Sequence, residues 1–209
     1  MRSRHGPDPL SWTHGAGPIG GAAILRLALG LLAWPVFAAG GVPDCRPMDL
    51  PVARVQPPLS QYVDFCRRHP EACVLEGAAV LPGTAEVLAL LAEVTAAVNA
   101  EITFMSDPDC WGVEELWSFP DTGVGDCEDH ALEKRRQLVA AGLPSAALTM
   151  AVVYHREGYF LHAVLLAETE VGTFVLDNLS DALLCWDAPP YRWDLRERPD
   201  GQWTRFVRP

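Results

Sequence analysis

The sequence predicts an α+β fold in which helices pack on an antiparallel sheet. Three observations predict it: apolar residues at helical spacing across 85–104, a capped helical stretch from 127 to 141, and strand-like runs after residue 146. At 209 residues, 49% hydrophobic and 21% charged, the chain can bury one sizeable core and is too apolar for disorder.

The first 38 residues read as a targeting segment. Arg2, Arg4 and Arg26 precede the apolar run "LALGLLAWPVFA" (27–38), which ends in small residues. That order is the layout of a secretory signal peptide, with Val36 and Ala38 at the −3 and −1 positions and cleavage before Ala39. About a dozen apolar residues are too few to span a bilayer. Cleavage would remove three arginines and Asp8 and leave 13 basic and 26 acidic residues, so the formal charge of −11 becomes −13. So acidic a product argues against nucleic acid and anionic lipid as partners and suits a cation. The expected location is the periplasm, with no stable insertion in the membrane.

Residues 39–60 are proline-rich, with "GVPDCRPMDLPVARVQPPLS" at 41–60, and are expected to be extended or irregular. A single domain is expected to fill 61–209. In "AEVLALLAEVTAAVNAEITF" (85–104) the residues Val87, Leu90, Leu91, Val94 and Val98 mark a core helix, with Thr84 as its N-cap. Residues 105–125 form a long, turn-rich connection carrying Trp111, Trp117 and Phe119, and connections of that length are often functional. The second helix starts at Cys127. Asp126 suits its N-cap, Asp129 sits where a capping box places an acid, and Gly142 with Pro144 ends it. "ALTMAVVYH" (147–155), "YFLHAVLLAE" (159–168) and "GTFVLDNL" (172–179) then predict a meander, and the tail with Trp186, Tyr191, Trp193 and Trp203 is expected to pack over it.

All six cysteines lie beyond residue 38. An oxidising compartment permits disulfides, and "FCRRHPEAC" (65–73) offers a local Cys66–Cys73 bridge. No C-x-x-C pair occurs to suggest zinc or dithiol redox chemistry. The partners of Cys45, Cys110 and Cys185 stay open.

"GVGDCEDHALEKRRQL" (123–138) sets Cys127 between a glycine turn and a helix, crowded by Asp126, Glu128 and Asp129. A reactive nucleophile, a metal site and a cap with a core cysteine all fit. The helix N-terminus favours a thiolate and supplies N–H groups for an oxyanion. The acids oppose a thiolate unless a cation offsets them. A nucleophilic thiol also needs a base and a group to orient it. His162 and Asp177 stand on successive strands. Any even-length loop puts their side chains on one face, and a two-residue loop at Glu170 and Val171 makes them diagonal neighbours. An odd loop would separate them. His130, one turn into the helix, and His155, expected to be exposed before a turn, are competing bases. Trp117 is a candidate second oxyanion donor, against its ordinary reading as a packing residue.

"GDCEDHALEKRRQLVAAGLP", "HAVLLAETEVGTFVLDNL", "VNAEITFMSD" and the "FCRRHPEAC" loop together resemble the bacterial transglutaminase-like cysteine proteinases, whose best-known members are the periplasmic LapG proteases. The resemblance runs from about residue 60 to 205. It implies a papain-like, transglutaminase-like fold with Cys127 as nucleophile, His162 as base and Asp177 as orienting carboxylate. It also implies Ca2+ beside the nucleophile, on Asp126 and Glu128. By the same resemblance the substrate is the N-terminal region of a large surface adhesin, with a role in biofilms. The regulatory partner so implied is an inner-membrane cyclic-di-GMP receptor with a periplasmic domain. The chain departs from the pattern at His130, where many relatives carry tyrosine, and in its additional cysteines. Two rivals remain from the sequence: a transglutaminase or amidase using the same thioester, and an inactive calcium-dependent binding protein.

Overall fold

The computed structural model describes residues 45–208, so the expected signal peptide and residues 39–44 lie outside the described residues. The elements run in chain order as β1 (Val52–Gln56), α1 (Ser60–Arg68), α2 (Ala85–Glu101), β2 (Thr103–Phe104), α3 (Asp107–Trp111), β3 (Val124–Gly125) and α4 (Cys127–Ala140). Six strands follow: β4 (Leu148–His155), β5 (Phe160–Thr169), β6 (Gly172–Leu176), β7 (Leu184–Cys185), β8 (Tyr191–Glu197) and β9 (Trp203–Phe206). Among the described residues the main sheet is antiparallel, in the order β1-β9-β8-β4-β5-β6-β7. The α+β expectation is met.

Strand alternation builds a core on each face of this sheet. On β5, Leu165 and Ala167 face the helices, where Phe65, Leu91, Val98, Leu132 and Trp203 join them. Val164 and Leu166 face the other way, onto Val153, Val175, Trp193 and Phe206. Met48 and Leu50, from the proline-rich segment, pack on that second cluster. The segment is held there by a Cys45–Cys185 disulfide across 140 residues, and Cys66–Cys73 forms the expected local bridge. Gly172, at φ 113°, makes the β5–β6 turn, and a Cβ there would meet the Cys45 carbonyl oxygen at 2.1 Å.

Several local expectations change. The first predicted helix stops at Glu101, and Thr103–Phe104 instead pair in parallel with Val124–Gly125. Its N-cap is Thr84 as expected, accepting the Val87 N–H at 3.4 Å. Residues 60–68 form a helix, whose C-terminal half enters the stretch 65–73 expected as a loop; Tyr62 and Phe65, one turn apart, bury its inner face. Strand β1 comes before the helices, where a helices-first order was expected, and closes one sheet edge against β9. No helix among the described residues is long and apolar enough to cross a membrane.

Candidate active site

The short parallel pair β2–β3 delivers the chain to the first turn of α4 at the edge of the main sheet. There the Ala163 N–H points at Cys127 Sγ, 3.3 Å away. β6 ends its pairing with β5 at Leu176–Leu165, so the sulfur takes up the β5 edge just beyond the end of the β6 ladder. The thiol in turn donates to Glu128 Oε2 at 3.3 Å. Burial first, then the Glu128 carboxylate, push the Cys127 pKa well up, and only the Ala163 N–H pulls it down appreciably.

His162 lies next to that N–H on β5. Thr169 pairs with Gly172 across a two-residue loop, the even length that keeps residues 162 and 177 on one face. His162 Nε2 is 2.8 Å from Asp177 Oδ1, and both side chains are buried. Burial opposes ionisation of Asp177, but hydrogen bonds from His162, Tyr191 and the Leu179 N–H outweigh it and hold its pKa below the usual carboxylate value. With Nε2 engaged, Nδ1 is the ring nitrogen left for a thiol. Cys127, His162, Trp117, Phe104, Leu161 and Leu179 share a groove of about 520 Å³.

Five carboxylates gather beside the thiol. Asp107, Glu115, Asp126, Glu128 and Asp129 form overlapping groups whose oxygens lie within 4.8 Å of one another. Asp126 Oδ1 and Glu128 Oε1 are buried without a hydrogen-bond partner among the described residues. Burial, then a hydrogen bond to Asp126 and the neighbouring acids, raise the pKa of Glu128 to about 10; burial with the charges of Asp126 and Asp107 raises that of Asp129 to about 7 against the bonds from Ser118. Orphaned buried oxygens among clustered acids fit a hard, oxygen-preferring dication such as Ca2+. The capping box is not formed. Asp126 makes no side-chain cap bond, and Asp129 accepts instead from the Ser118 N–H at 2.7 Å, so it ties the connection to α4.

Residues 52–208 match the family model described as bacterial transglutaminase-like cysteine proteinase. The chain belongs to this family. No curated protein matches it. Among solved structures, it is similar to calcium-bound LapG of Legionella pneumophila, with 26% identity, 59% of this chain and 71% of that chain covered, and a TM-score of 0.51. The EGTA-treated form of the same protein gives 28% identity, 59% and 69% coverage, and 0.51. A third LapG structure gives 28%, 56% and 67%, and 0.50.

A cysteine proteinase needs a free thiol. Among the described residues only Cys110 and Cys127 are free, and of the two only Cys127 shares the groove with an imidazole. The competing histidines are engaged elsewhere. His130 Nδ1 sits 2.6 Å from its own helix's Asp126 carbonyl. His155 is half-buried, not exposed as expected: its Nδ1 accepts the Gly158 N–H at 2.9 Å and its ring stacks on Phe160. Trp117 is a packing residue. Its ring meets Tyr62 and Trp203 edge-on, and its N–H donates to Glu115 at 2.9 Å, so the candidate oxyanion role does not hold.

The family resemblance points to Asp126 and Glu128 alone; Asp107, Glu115 and Asp129 lie in the same acidic cluster without any such pointer. Acids scattered through a long connection carry no spacing signal, and Asp129 had a simpler explanation as a cap. Tyr191, bonded to Asp177, was also missed, being one aromatic among several in the tail.

Proposed function

We propose that this cysteine proteinase is an exported, calcium-dependent endopeptidase with a Cys127–His162–Asp177 triad. The His162–Asp177 contact beside the strand edge that meets Cys127 Sγ carries the reading. His162 Nδ1 takes the thiol proton, and Cys127 Sγ attacks a peptide carbonyl. The backbone N–H of Cys127 donates to the developing oxyanion. The imidazolium gives its proton to the leaving amine, and water, deprotonated by His162, hydrolyses the thioester. Asp177 holds the tautomer in which Nε2 carries a proton.

Asp126 and Glu128 would hold the ion, with Asp107, Glu115 and Asp129 in the same cluster. A bound dication supplies positive charge that offsets the carboxylates opposing a thiolate. The calcium-bound form of LapG supports this assignment by similarity. Two disulfides and the signal-like residues 1–38 support export to the periplasm. By family resemblance the substrate is the N-terminal region of a large surface adhesin. Sequestration by an inner-membrane cyclic-di-GMP receptor would then control access to it.

The test compares mature wild type with Cys127→Ala on envelope fractions, each with calcium and with a chelator, reading new protein N-termini by mass spectrometry. New termini on a large surface protein that need both Cys127 and calcium are expected. Isopeptide cross-links would move the reading to a transglutaminase. Neither product from folded protein would leave a calcium-dependent binding role.

A further inference from the structure

Asp177 has a partner that this mechanism does not use. Tyr191, the first residue of β8, donates its hydroxyl to Asp177 Oδ2, while Oδ1 takes His162 Nε2 at 2.8 Å and the Leu179 N–H at 3.0 Å. Tyr191 is 7% exposed and Asp177 2%, so bulk water is a poor substitute for the phenol. β8 and β5 both pair with β4, where His155 opposes Tyr191 and Val153 opposes His162. The phenol therefore enters from β8, two positions and roughly 10 Å from β5, while Asp177 reaches in from the end of β6 on the far side, so the two side chains together bridge that gap. A shorter hydroxyl side chain would not cross it. The Tyr191 ring also packs 5.7 Å from the His162 ring, so one side chain touches both members of the pair.

We propose that Tyr191 is a positioning residue of the triad, an inference that rests on the triad reading above. Its hydroxyl occupies Oδ2, which fixes the rotation of the carboxylate so that Oδ1 faces His162 Nε2. Without it, Oδ2 loses its only hydrogen-bond donor among the described residues, and the carboxylate is held through Oδ1 alone, which loosens its rotation against the imidazole. The phenol acts on the thiol only through Asp177 and His162.

The experiment uses calcium-loaded mature protein with iodoacetamide as the probe, so no natural substrate is needed. Alkylation of Cys127 is followed by mass spectrometry, and the His162 ring Nε2–H signal by NMR on histidine-labelled protein. Tyr191→Phe keeps the ring and removes the hydroxyl; alkylation should slow about tenfold and the Nε2–H signal should move or broaden. Trp193→Phe trims the same aromatic cluster, 6.2 Å from Tyr191, and should leave both readouts in place while lowering the melting temperature. Tyr191→Phe protein with wild-type alkylation and an unmoved His162 signal, altered only in melting temperature, overturns the inference. Wild-type Cys127 reacting no faster than Cys110 would overturn the triad reading itself, and the inference with it.

Discussion

His162 and Asp177 meet at 2.8 Å on one face of the sheet, where the pairing of Thr169 with Gly172 across the two-residue loop Glu170–Val171 places both side chains. Asp177→Asn keeps the shape but removes the negative charge and turns one of the two accepting oxygens into an amide donor, so Nε2–H is no longer fixed toward residue 177. Cleavage, or alkylation of Cys127 where no substrate is in hand, should fall by about a thousandfold with the melting temperature little changed. Inserting one residue between Leu176 and Asp177 leaves the β5–β6 ladder in place and should abolish activity by turning Asp177 to the other face. An active insertion variant would sink the proposed triad.

The acidic cluster predicts a stability readout for calcium. Asp126 Oδ1 and Glu128 Oε1 lack hydrogen-bond partners among the described residues, and Asp107 and Glu115 lie on the connection before α4. An ion held there would join that connection to the nucleophile's helix. Calcium at a hundredfold over its dissociation constant should add about 2.7 kcal/mol, seen as a rise in melting temperature that EGTA reverses. Asp126→Asn and Glu128→Gln should each reduce the rise, and Asp107→Asn should reduce it too, although it lies about twenty residues before the thiol. A calcium response indifferent to all three would place the ion elsewhere.

The legible parts of this chain are those where one physical period dominates. The core helix α2, the start of α4 and the β4–β5–β6 meander follow from apolar spacing and glycine or proline punctuation, and the His162–Asp177 pairing follows from strand parity. The rest depends on contacts between distant segments. Val52–Gln56 is four-fifths exposed by residue, with no apolar alternation to mark an edge strand, and forms one only because β9 offers hydrogen bonds. Cys45 finds Cys185 across 140 residues, a separation no local pattern reveals. Asp107, Glu115 and Tyr191 reach the site from a loop and from a strand two positions away in the sheet, so their roles emerge only with the tertiary fold.

A buried polar network anchors α4 and α1 to β8. Glu197 accepts from Arg135 at 2.6 Å, from the Met150 N–H at 3.0 Å and from the Tyr62 hydroxyl, and Arg135 also donates to that hydroxyl at 3.0 Å. Arg135 and Glu197 are both buried. Glu197→Gln should cost about 3–5 kcal/mol in denaturant unfolding, because it strands the guanidinium without a counter-charge. The double replacement Arg135→Met with Glu197→Gln removes the stranded charge and should recover part of the loss. A double variant no more stable than Glu197→Gln alone would contradict this account.

Lys134 makes the opposite case, a buried charge with no direct partner. Its Nζ is fully buried and makes no hydrogen bond among the described residues. Burial pulls its pKa from 10.5 down to about 8, with Asp177 and Asp181 opposing the fall. Between about pH 8 and 10.5 the unfolded chain therefore binds more protons than the folded one, and stability from this group rises with pH across that window. Below pH 8 the penalty is present in full, up to roughly 3 kcal/mol from the size of the shift. Lys134→Met removes both the penalty and the slope. Urea unfolding at pH 7 and pH 10 should show wild type gaining stability between the two, with the variant more stable at pH 7 and flatter. If wild type and variant change in parallel, Lys134 is not the titrating group, and its ammonium must be satisfied by the charges of Asp177 and Asp181 alone.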